Sequence, residues 1–524
     1  MSHAASDATM WVERLSGLGH AGIWLIAARR PAAAGLAGWL PAAEQTFSIR
    51  PETASVVAGG GDVLFISGLV GDLIGLTADY DRTHVTPARV QQWLATATSK
   101  GLAHSSAGAA QPSAPLALGI DAAWLLGGES GAQVFVDELL KALAPRPDIA
   151  RIVLLSDAGA VPRALEGDAK ITGLSWSAAL ARRGPFLDIM HRPYQPGIGV
   201  DYRRYHHVAP CVAITVLDFI AYDNRQYHES EWAWRDYQKA FDDQICLADG
   251  VFAISAHVAL RLTGQFAHQL AGPVRVVPLG TDHVRHASAP AGSRSTAALQ
   301  VVEDGRFLLV LGSDFEHKNR DFAVKVFADM CERGYEGRLV LAGHHLDSGS
   351  SFGHELAGAG RYRDRVIRIG AVSPSEKLWL LGRTEAVLYP TSAEGFGLIP
   401  FEAAAFGRPT AFVRFGPLSE MLPQVDACVG WRIRPFADHV FRLIGDPAAN
   451  VAQIRAAAES LTWARAADLM IDGYRDLLSP AAPWRTRTRR ATAPGQLARR
   501  GLEWAAYRAS NAIRRRLWGR SGNG

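Results

Sequence analysis

The sequence predicts an α/β protein built on doubly wound parallel sheets, and three observations carry that expectation. Short apolar runs alternate with amphipathic stretches of helical period, the order that feeds a parallel sheet. Several runs end on glycine just before a helical pattern, as in Arg306-Phe307-Leu308-Leu309-Val310-Leu311-Gly312, Arg338-Leu339-Val340-Leu341-Ala342-Gly343 and Val366-Ile367-Arg368-Ile369-Gly370. Finally, 48% of the residues are apolar and 20% charged, the balance of a globular protein with ample core. Ligands of such sheets bind at the carboxyl ends of the strands.

A chain of 524 residues leaves room for more than two such units. Residues 1–104 read as an accessory α/β region without an assignable role. Gly59-Gly60-Gly61-Asp62 then Val63-Leu64-Phe65-Ile66-Ser67 is a turn and strand, and Val90 to Ala97 a helix. Gly17-Leu18-Gly19-His20-Ala21-Gly22 fits G-x-G-x-x-G. Only a short segment with Glu13 and Arg14 precedes it, so no dinucleotide site is expected there. Asp79-Tyr80-Asp81 reads better as a solvated turn than as a metal-binding D-x-D. Residues 105–115, rich in Ser, Ala and Pro, form a linker.

The first lobe is expected over 116–288. Leu116 to Asp121 is its first strand, Leu126-Gly127-Gly128-Glu129-Ser130-Gly131 a glycine-rich loop, and Val134 to Ala144 a helix. That order aims backbone amides at a cleft and suits an anion, although the glycines could equally serve a tight turn. Pro290 to Ser295 joins this lobe to a second one over 296–480.

The most informative stretch lies in the second lobe. Ala386-Val387-Leu388-Tyr389 has the make-up of a buried strand, and Pro390 ends it. A polar loop follows with Glu394 and a Gly395-Phe396-Gly397 turn, then a helix from about Pro400 with Glu402 in its first turn. Glycine amides and a helix N-terminus suit phosphate. The two carboxylates would repel phosphate and are better suited to accept hydrogen bonds from sugar hydroxyls. A site that holds a diphosphate and grips hydroxyls on either side is what a nucleotide-sugar enzyme needs.

Glu394 and Glu402, set in P-T-S-A-E-G-F-G-L-I-P-F-E-A-A-A-F-G-R-P, resemble the E-x7-E signature of retaining glycosyltransferases of family 4. The resemblance runs from about residue 115 to 480 and is sharpest in the second half. It implies the GT-B architecture, two Rossmann-like domains facing across a cleft, the second holding the donor and the first the acceptor. Gly312-Ser313-Asp314-Phe315-Glu316-His317-Lys318-Asn319 is similar to the family's G-x4-R-K-N element. Lys318 falls on the lysine and His317 departs from the arginine. The pair would oppose the charge of the leaving diphosphate, with the lysine as a compact cation and a neutral histidine as one donor only. Gly370-Ala371-Val372 is similar to the turn that meets the nucleobase, and Leu461-Thr462-Trp463-Ala464-Arg465-Ala466-Ala467 to the start of the closing helix. By this resemblance Gly312, Val372, Gly395, Phe396, Gly397, Leu398 and Glu402 bind the donor, Glu402 through the ribose. Lys318, Glu394 and His317 would serve catalysis, Glu394 on the transferred sugar. In the first lobe, Asp188-Ile189-Met190-His191 and Val212 to Asp218 are similar to D-x-x-H and V-T-x-H-D segments, with Leu217 replacing the histidine. Gly128, His191 and Asp218 are the acceptor-side candidates, His191 being equally readable as a packed histidine.

The implied activity is retaining, metal-independent transfer of a hexose, mannose-like by preference, from a nucleotide-diphospho-sugar to a glycan or lipid-linked acceptor in polysaccharide assembly. The donor is a co-substrate, so no cofactor and no metal site are expected. A non-catalytic GT-B scaffold, or an epimerase on the same fold, is the alternative. Cys211, Cys246, Cys331 and Cys428 lack metal-type spacing and read as buried thiols of a reducing compartment. Gly17 to Ala28 is apolar but short, so no membrane span is expected and the location is cytoplasmic. From Trp484 to Gly524, eleven arginines against Glu503 give a net +10 in a chain of net +4, leaving −6 for the rest. This basic helical tail, 481–524, could lie peripherally on the anionic face of an inner membrane, each Arg contributing about 1 kcal/mol, or remain solvated. No aromatic-interleaved basic module points to nucleic acid.

Overall fold

The computed structural model describes the strands within residues 10–80, and residues 114–123, 125, 131–181, 183–197, 202–272, 274–284 and 305–479. In the N-terminal region β1 (Met10–Arg14), β2 (Trp24–Ala28), β3 (Ser55–Ala58), β4 (Val63–Val70) and β5 (Leu73–Tyr80) form one sheet in the order β1-β2-β5-β4-β3. The strand expected from Val63 is β4, and the turn expected before it, Gly59 to Asp62, lies outside the described residues. The strands on either side of the G-x-G-x-x-G segment pair antiparallel, Met10 opposite Ala28. A dinucleotide fingerprint needs a strand that feeds a helix, so the segment's surroundings do not suit one. The segment itself, the expected helix near Val90, the 105–113 part of the linker and the tail beyond 479 lie outside the described residues.

The first lobe holds a seven-stranded sheet, in which every described pair is parallel. Its strands are β6 (Leu116–Asp121), β7 (Ile149–Ser156), β8 (Ile171–Ser175), β9 (Ile189–Arg192), β10 (Cys211–Val216), β11 (Gly250–Ala253) and β12 (Val274–Val276). Their order is β12-β11-β10-β9-β6-β7-β8. The second lobe repeats the plan with β13 (Phe307–Leu311), β14 (Arg338–Ala342), β15 (Val366–Gly370), β16 (Ala386–Tyr389) and β17 (Thr410–Phe412), in the order β15-β14-β13-β16-β17. All of its described pairs are parallel too. Strands buried on both faces read as unbroken apolar runs, and β13 and β16 are buried at every residue. The winding reverses between β6 and β9 and between β13 and β16. A crevice opens at such a switch point, beyond the carboxyl ends of the strands.

One boundary needs correction. The closing helix, Trp463–Leu478, was expected inside the donor lobe, but it packs on the first lobe. Its buried stripe of Trp463, Ala466, Ala467, Met470, Ile471, Tyr474 and Leu477 sets Tyr474 against His191 and Phe252 and Trp463 against Phe135. Arg475 reaches Asp148 and Arg275 reaches Asp476 at its solvent edge. An apolar stripe goes where apolar surface awaits it, and here that surface belongs to β9 and β11. Among the cysteines, Cys211, Cys331 and Cys428 are buried and Cys246 is half-buried. Among the described residues no helix is long and apolar enough to cross a membrane.

Candidate active site

The loops after β13 and β16, on either side of the second lobe's switch point, bring the first two candidates together. After β13 the chain makes a short 3-10 turn, Glu316–Lys318, and enters the helix Arg320–Glu332 through Asn319 in the left-handed region. The Asn319 side chain donates to the Pro390 carbonyl at 2.8 Å, and Ser392 N–H donates to the His317 carbonyl at 2.8 Å. Tied in this way, the two loops set Lys318 Nζ 2.5 Å from Glu394 Oε1. Burial opposes the charge on Glu394, but Lys318 and a hydrogen bond from Tyr389 hold its carboxyl below the usual carboxylate range. The lysine also stands 5.7 Å over the Tyr389 ring.

Glu402 sits in the helix Ile399–Ala405 and is 2% exposed. Its Oε1 accepts from Lys377 Nζ at 2.7 Å, while His283 Nε2 lies 3.6 Å away. Burial works against its charge; Lys377 more than offsets that and lowers the carboxyl to about 2. His283 Nδ1 accepts from Trp463 Nε1–H at 3.2 Å, so the ring carries its proton on Nε2, toward Glu402. Glu402 Oε2 is buried without a hydrogen-bond partner. A buried acceptor left open costs stability until a donor such as a hydroxyl meets it. Lys377 comes from the first turns of the helix Pro374–Arg383, which follows β15 and Val372 and starts with a capping box between Ser373 and Glu376.

His317 does not provide a second positive charge. It is 9% exposed, and burial together with the Lys318 charge pushes its imidazole down to about 3. Its Nδ1 lies 2.8 Å from the hydroxyl of Tyr227, a first-lobe residue.

The Gly395-Phe396-Gly397 turn is arranged differently from a simple phosphate cradle. A side chain at Gly395 would start 2.0 Å from the Leu217 carbonyl. The Gly395 carbonyl accepts from Ser255 Oγ at 2.7 Å. Gly395 therefore serves the contact between lobes. Gly397 adopts φ +94°, open to glycine, and Phe396 is buried beside Phe401. Among the described residues the amides of 395–397 donate to no other backbone group. Leu398 starts the Glu402 helix and Gly312 closes β13 with φ +127°.

On the first-lobe side, Asp218 follows β10 and is half-buried. Burial pushes its carboxyl up to about 6, and it feels the charges of Glu394 and Lys318. Gln195 fixes this loop, its amide donating to the Asp218 carbonyl at 2.7 Å and its oxygen accepting from Leu217 N–H at 2.9 Å. Leu217, where a histidine was expected, is buried in the apolar cluster that includes Ile254 and Phe396, so that position contributes packing. His191 needs correction as a cleft residue. It is fully buried, with Nε2 2.9 Å from Thr215 Oγ1 and Nδ1 2.6 Å from the Tyr474 hydroxyl. Both nitrogens are committed, Nδ1 to the closing helix and Nε2 to β10, and burial pushes the ring down to about 3. Gly128 lies outside the described residues. A cavity of about 320 Å³, lined by Phe352, Leu356, Arg363 and Arg368 among others, includes none of the expected site residues.

The structure adds Lys377, His283, Tyr227 and Ser255 to the site. Lys377 carried a weak signal, a basic residue just inside a capped helix after a strand. The others carried none, because each meets its partner through the closing of one lobe on the other or through the returning helix.

Comparison with known proteins fits this geometry. Residues 294–446 match the family described as glycosyl transferases group 1. The D-inositol 3-phosphate glycosyltransferase of Nocardiopsis dassonvillei is 28% identical over 228 residues, 40% of this chain and 52% of that protein. The GDP-mannose-dependent alpha-(1-6)-phosphatidylinositol dimannoside mannosyltransferase of Mycobacterium tuberculosis is 28% identical over 206 residues, 37% of this chain and 50% of that protein. The chain thus spans about half the length of the curated relatives it matches. Among solved structures, sucrose-phosphate synthase from Thermosynechococcus elongatus superposes with a TM-score of 0.50 at 17% identity, over 70% of this chain and 99% of that one. An alpha,alpha-trehalose-phosphate synthase (UDP-forming) from Burkholderia xenovorans gives 0.52 at 12% identity, over 69% and 100%. These two likenesses speak to the fold alone, that of GT-B, and together with the family match over residues 294–446 they support a glycosyltransferase family 4-like protein.

Proposed function

We propose that this protein transfers a hexose from a nucleotide-diphospho-sugar to a glycan or lipid-linked acceptor, with retention of anomeric configuration and without a metal. The observation that carries the reading is the pairing of each signature glutamate with a lysine, Glu394 with Lys318 and Glu402 with Lys377, at the switch point of the donor sheet. On donor binding the diphosphate takes Lys318 from Glu394. The freed carboxylate accepts a hydroxyl of the sugar, and the open Oε2 of Glu402 accepts a ribose hydroxyl. As the glycosidic C–O bond breaks, Lys318 and the amides of 395–397 meet the negative charge gathering on the leaving diphosphate, the kind of preorganised electrostatics that accounts for most enzymatic acceleration. Asp218, on the acceptor side and near Lys318, is placed to orient the incoming hydroxyl. The Mycobacterium tuberculosis relative, named for GDP-mannose, favours a mannose donor, and the basic tail favours an acceptor at an anionic membrane surface on the cytoplasmic side.

The test is nucleoside diphosphate release with a panel of UDP- and GDP-sugars, with and without lipid-linked acceptor. Release that requires acceptor supports transfer. Interconversion of the sugar without acceptor would make the protein an epimerase, and donor binding without turnover a scaffold.

A further inference from the structure

We infer that Tyr227 is a positioning residue for the donor site: reaching across from the first lobe, its hydroxyl fixes His317 as the neutral tautomer with Nε2–H as its remaining donor. The inference rests on the donor-site reading above and extends it to a residue that no spacing motif includes.

The hydrogen bonds define the tautomer. Tyr227 closes a short 3-10 turn, Arg225–Tyr227, in the first lobe. Its oxygen accepts the backbone N–H of His317 at 3.1 Å. The hydroxyl proton is then free to point at His317 Nδ1, 2.8 Å away. A ring nitrogen that accepts carries no proton, so the proton of the neutral imidazole is on Nε2. Among the described residues no group pairs with Nε2.

The packing holds that arrangement. Phe315 stacks on the His317 ring at 5.3 Å and meets Tyr227 edge-on at 4.9 Å. On the other side of Tyr227 lies Gly349, where a Cβ would fall 1.8 Å from the tyrosine ring. Its φ of +69° also favours glycine. The Gly349 carbonyl accepts from Glu316 N–H at 2.8 Å, which ties this wall to the loop that carries His317. The charged groups around the pair are Lys318 and Glu394 beside His317, and Glu316 and Asp218 beside Tyr227. A second cation at 317 would stand next to Lys318 and would lose the Tyr227 bond. The first lobe therefore supplies the group that decides how residue 317 meets the donor, as a directed neutral donor in place of a charge.

The experiment uses the full chain labelled with ¹⁵N-histidine, the His317→Gln variant assigning the His317 signal. In the unsubstituted protein the ring nitrogens should keep the Nε2–H signature from pH 8 to pH 6. In Tyr227→Phe, which keeps the ring in its slot and leaves its burial and the Lys318 charge in place, they should average between the two neutral tautomers. Calorimetry with UDP and GDP as probes gives a second reading. Tyr227→Phe should bind them severalfold more weakly than the parent, because Nε2–H is no longer fixed as the donor. An unchanged His317 spectrum in Tyr227→Phe would overturn the inference. Should neither protein bind either nucleotide, the donor-site reading fails, and the spectra still decide whether Tyr227 sets the tautomer.

Discussion

The lysine and glutamate proposed for the two ends of the scissile bond are bonded to each other at 2.5 Å. The arrangement is economical in charge, because an arriving diphosphate replaces one anion beside Lys318 with another. Lys318→Ala removes both the partner of Glu394 and the cation proposed to meet the leaving group. It should lower kcat at saturating donor about a hundredfold, roughly 3 kcal/mol of transition-state stabilisation. Lys318→Arg should recover much of that, and near-normal turnover by the alanine variant would take Lys318 out of the mechanism. Glu402 makes a separate prediction about stability. Its carboxyl is lowered to about 2 by Lys377 against the opposing effect of burial. Its contribution is full above the unfolded carboxylate range and is lost as pH falls toward 2. Lys377→Ala should therefore cost about 3 kcal/mol at pH 7, since it leaves a buried charge without its partner. Urea titrations should show the gap from the parent protein closing as pH falls below about 4.3, the ordinary range of a glutamate; a gap that stays constant with pH would rule out this coupling. Both glutamates and Lys318 were legible in the sequence, as they stand in one strand–loop–helix pattern and one strand–loop pattern. Of the partners, Lys377 left only a weak signal and Tyr227 none, because they lie 25 and 90 positions from the residues they serve and only the fold closes those distances.

Elements were more legible than their allegiances. Buried parallel strands announce themselves as unbroken apolar runs, and β13, β14 and β16 formed where such runs were read, while β15, an edge strand broken by the exposed Arg368, formed at the run that ends on Gly370. The closing helix also formed as expected, yet its amphipathic period says only that one side is apolar and not which lobe that side meets. The deciding contact is His191 with Tyr474 and Thr215, three residues from three separate elements. This contact makes the helix acid-sensitive. Burial pushes His191 down to about 3, so the unfolded chain takes up a proton near pH 6.5 that the folded one refuses. The stabilisation is complete above about 6.5 and declines as pH falls toward 3, by about 2 kcal/mol at pH 5 from 1.36 kcal/mol per unit. Protonation would also turn an accepting nitrogen into a second donor and break one of the two bonds. Hydrogen exchange, corrected for intrinsic rates, should therefore show residues 463–478 losing protection between pH 7 and pH 5 ahead of the second-lobe helix Arg320–Glu332. Equal loss in the two helices would mean that His191 does not hold this one.

At the scale of the whole molecule much of the seam between the lobes engages backbone groups. The Glu420 carboxylate of the second lobe takes the first two amides of the helix Ala256–Phe266, at 2.9 Å from Ala256 N and 3.0 Å from His257 N. A carboxylate there satisfies orphan N–H groups and faces the positive end of the helix dipole. Nearby, Ser255 caps the same helix and also donates to the Gly395 carbonyl. The two-lobed plan could be read from the alternation of strands and helices, but this seam could not, since its main participants are carbonyls and amides that every residue possesses. Gly395 is the exception that tests it. Its φ is not in the left-handed region, so Gly395→Ala adds no backbone strain and isolates the approach to the Leu217 carbonyl, where the new Cβ would stand 2.0 Å away. The lobes must then part or the loop carrying Glu394 must move, and either change separates Asp218 from the Lys318–Glu394 pair. Small-angle scattering of Gly395→Ala should give a larger radius of gyration, with turnover lowered at least about tenfold, 1.4 kcal/mol or more in the barrier. A loss of turnover at unchanged radius would mean that the loop yields and the lobes hold. If radius and turnover both stayed the same, the Leu217–Gly395 contact would not be what seats one lobe on the other.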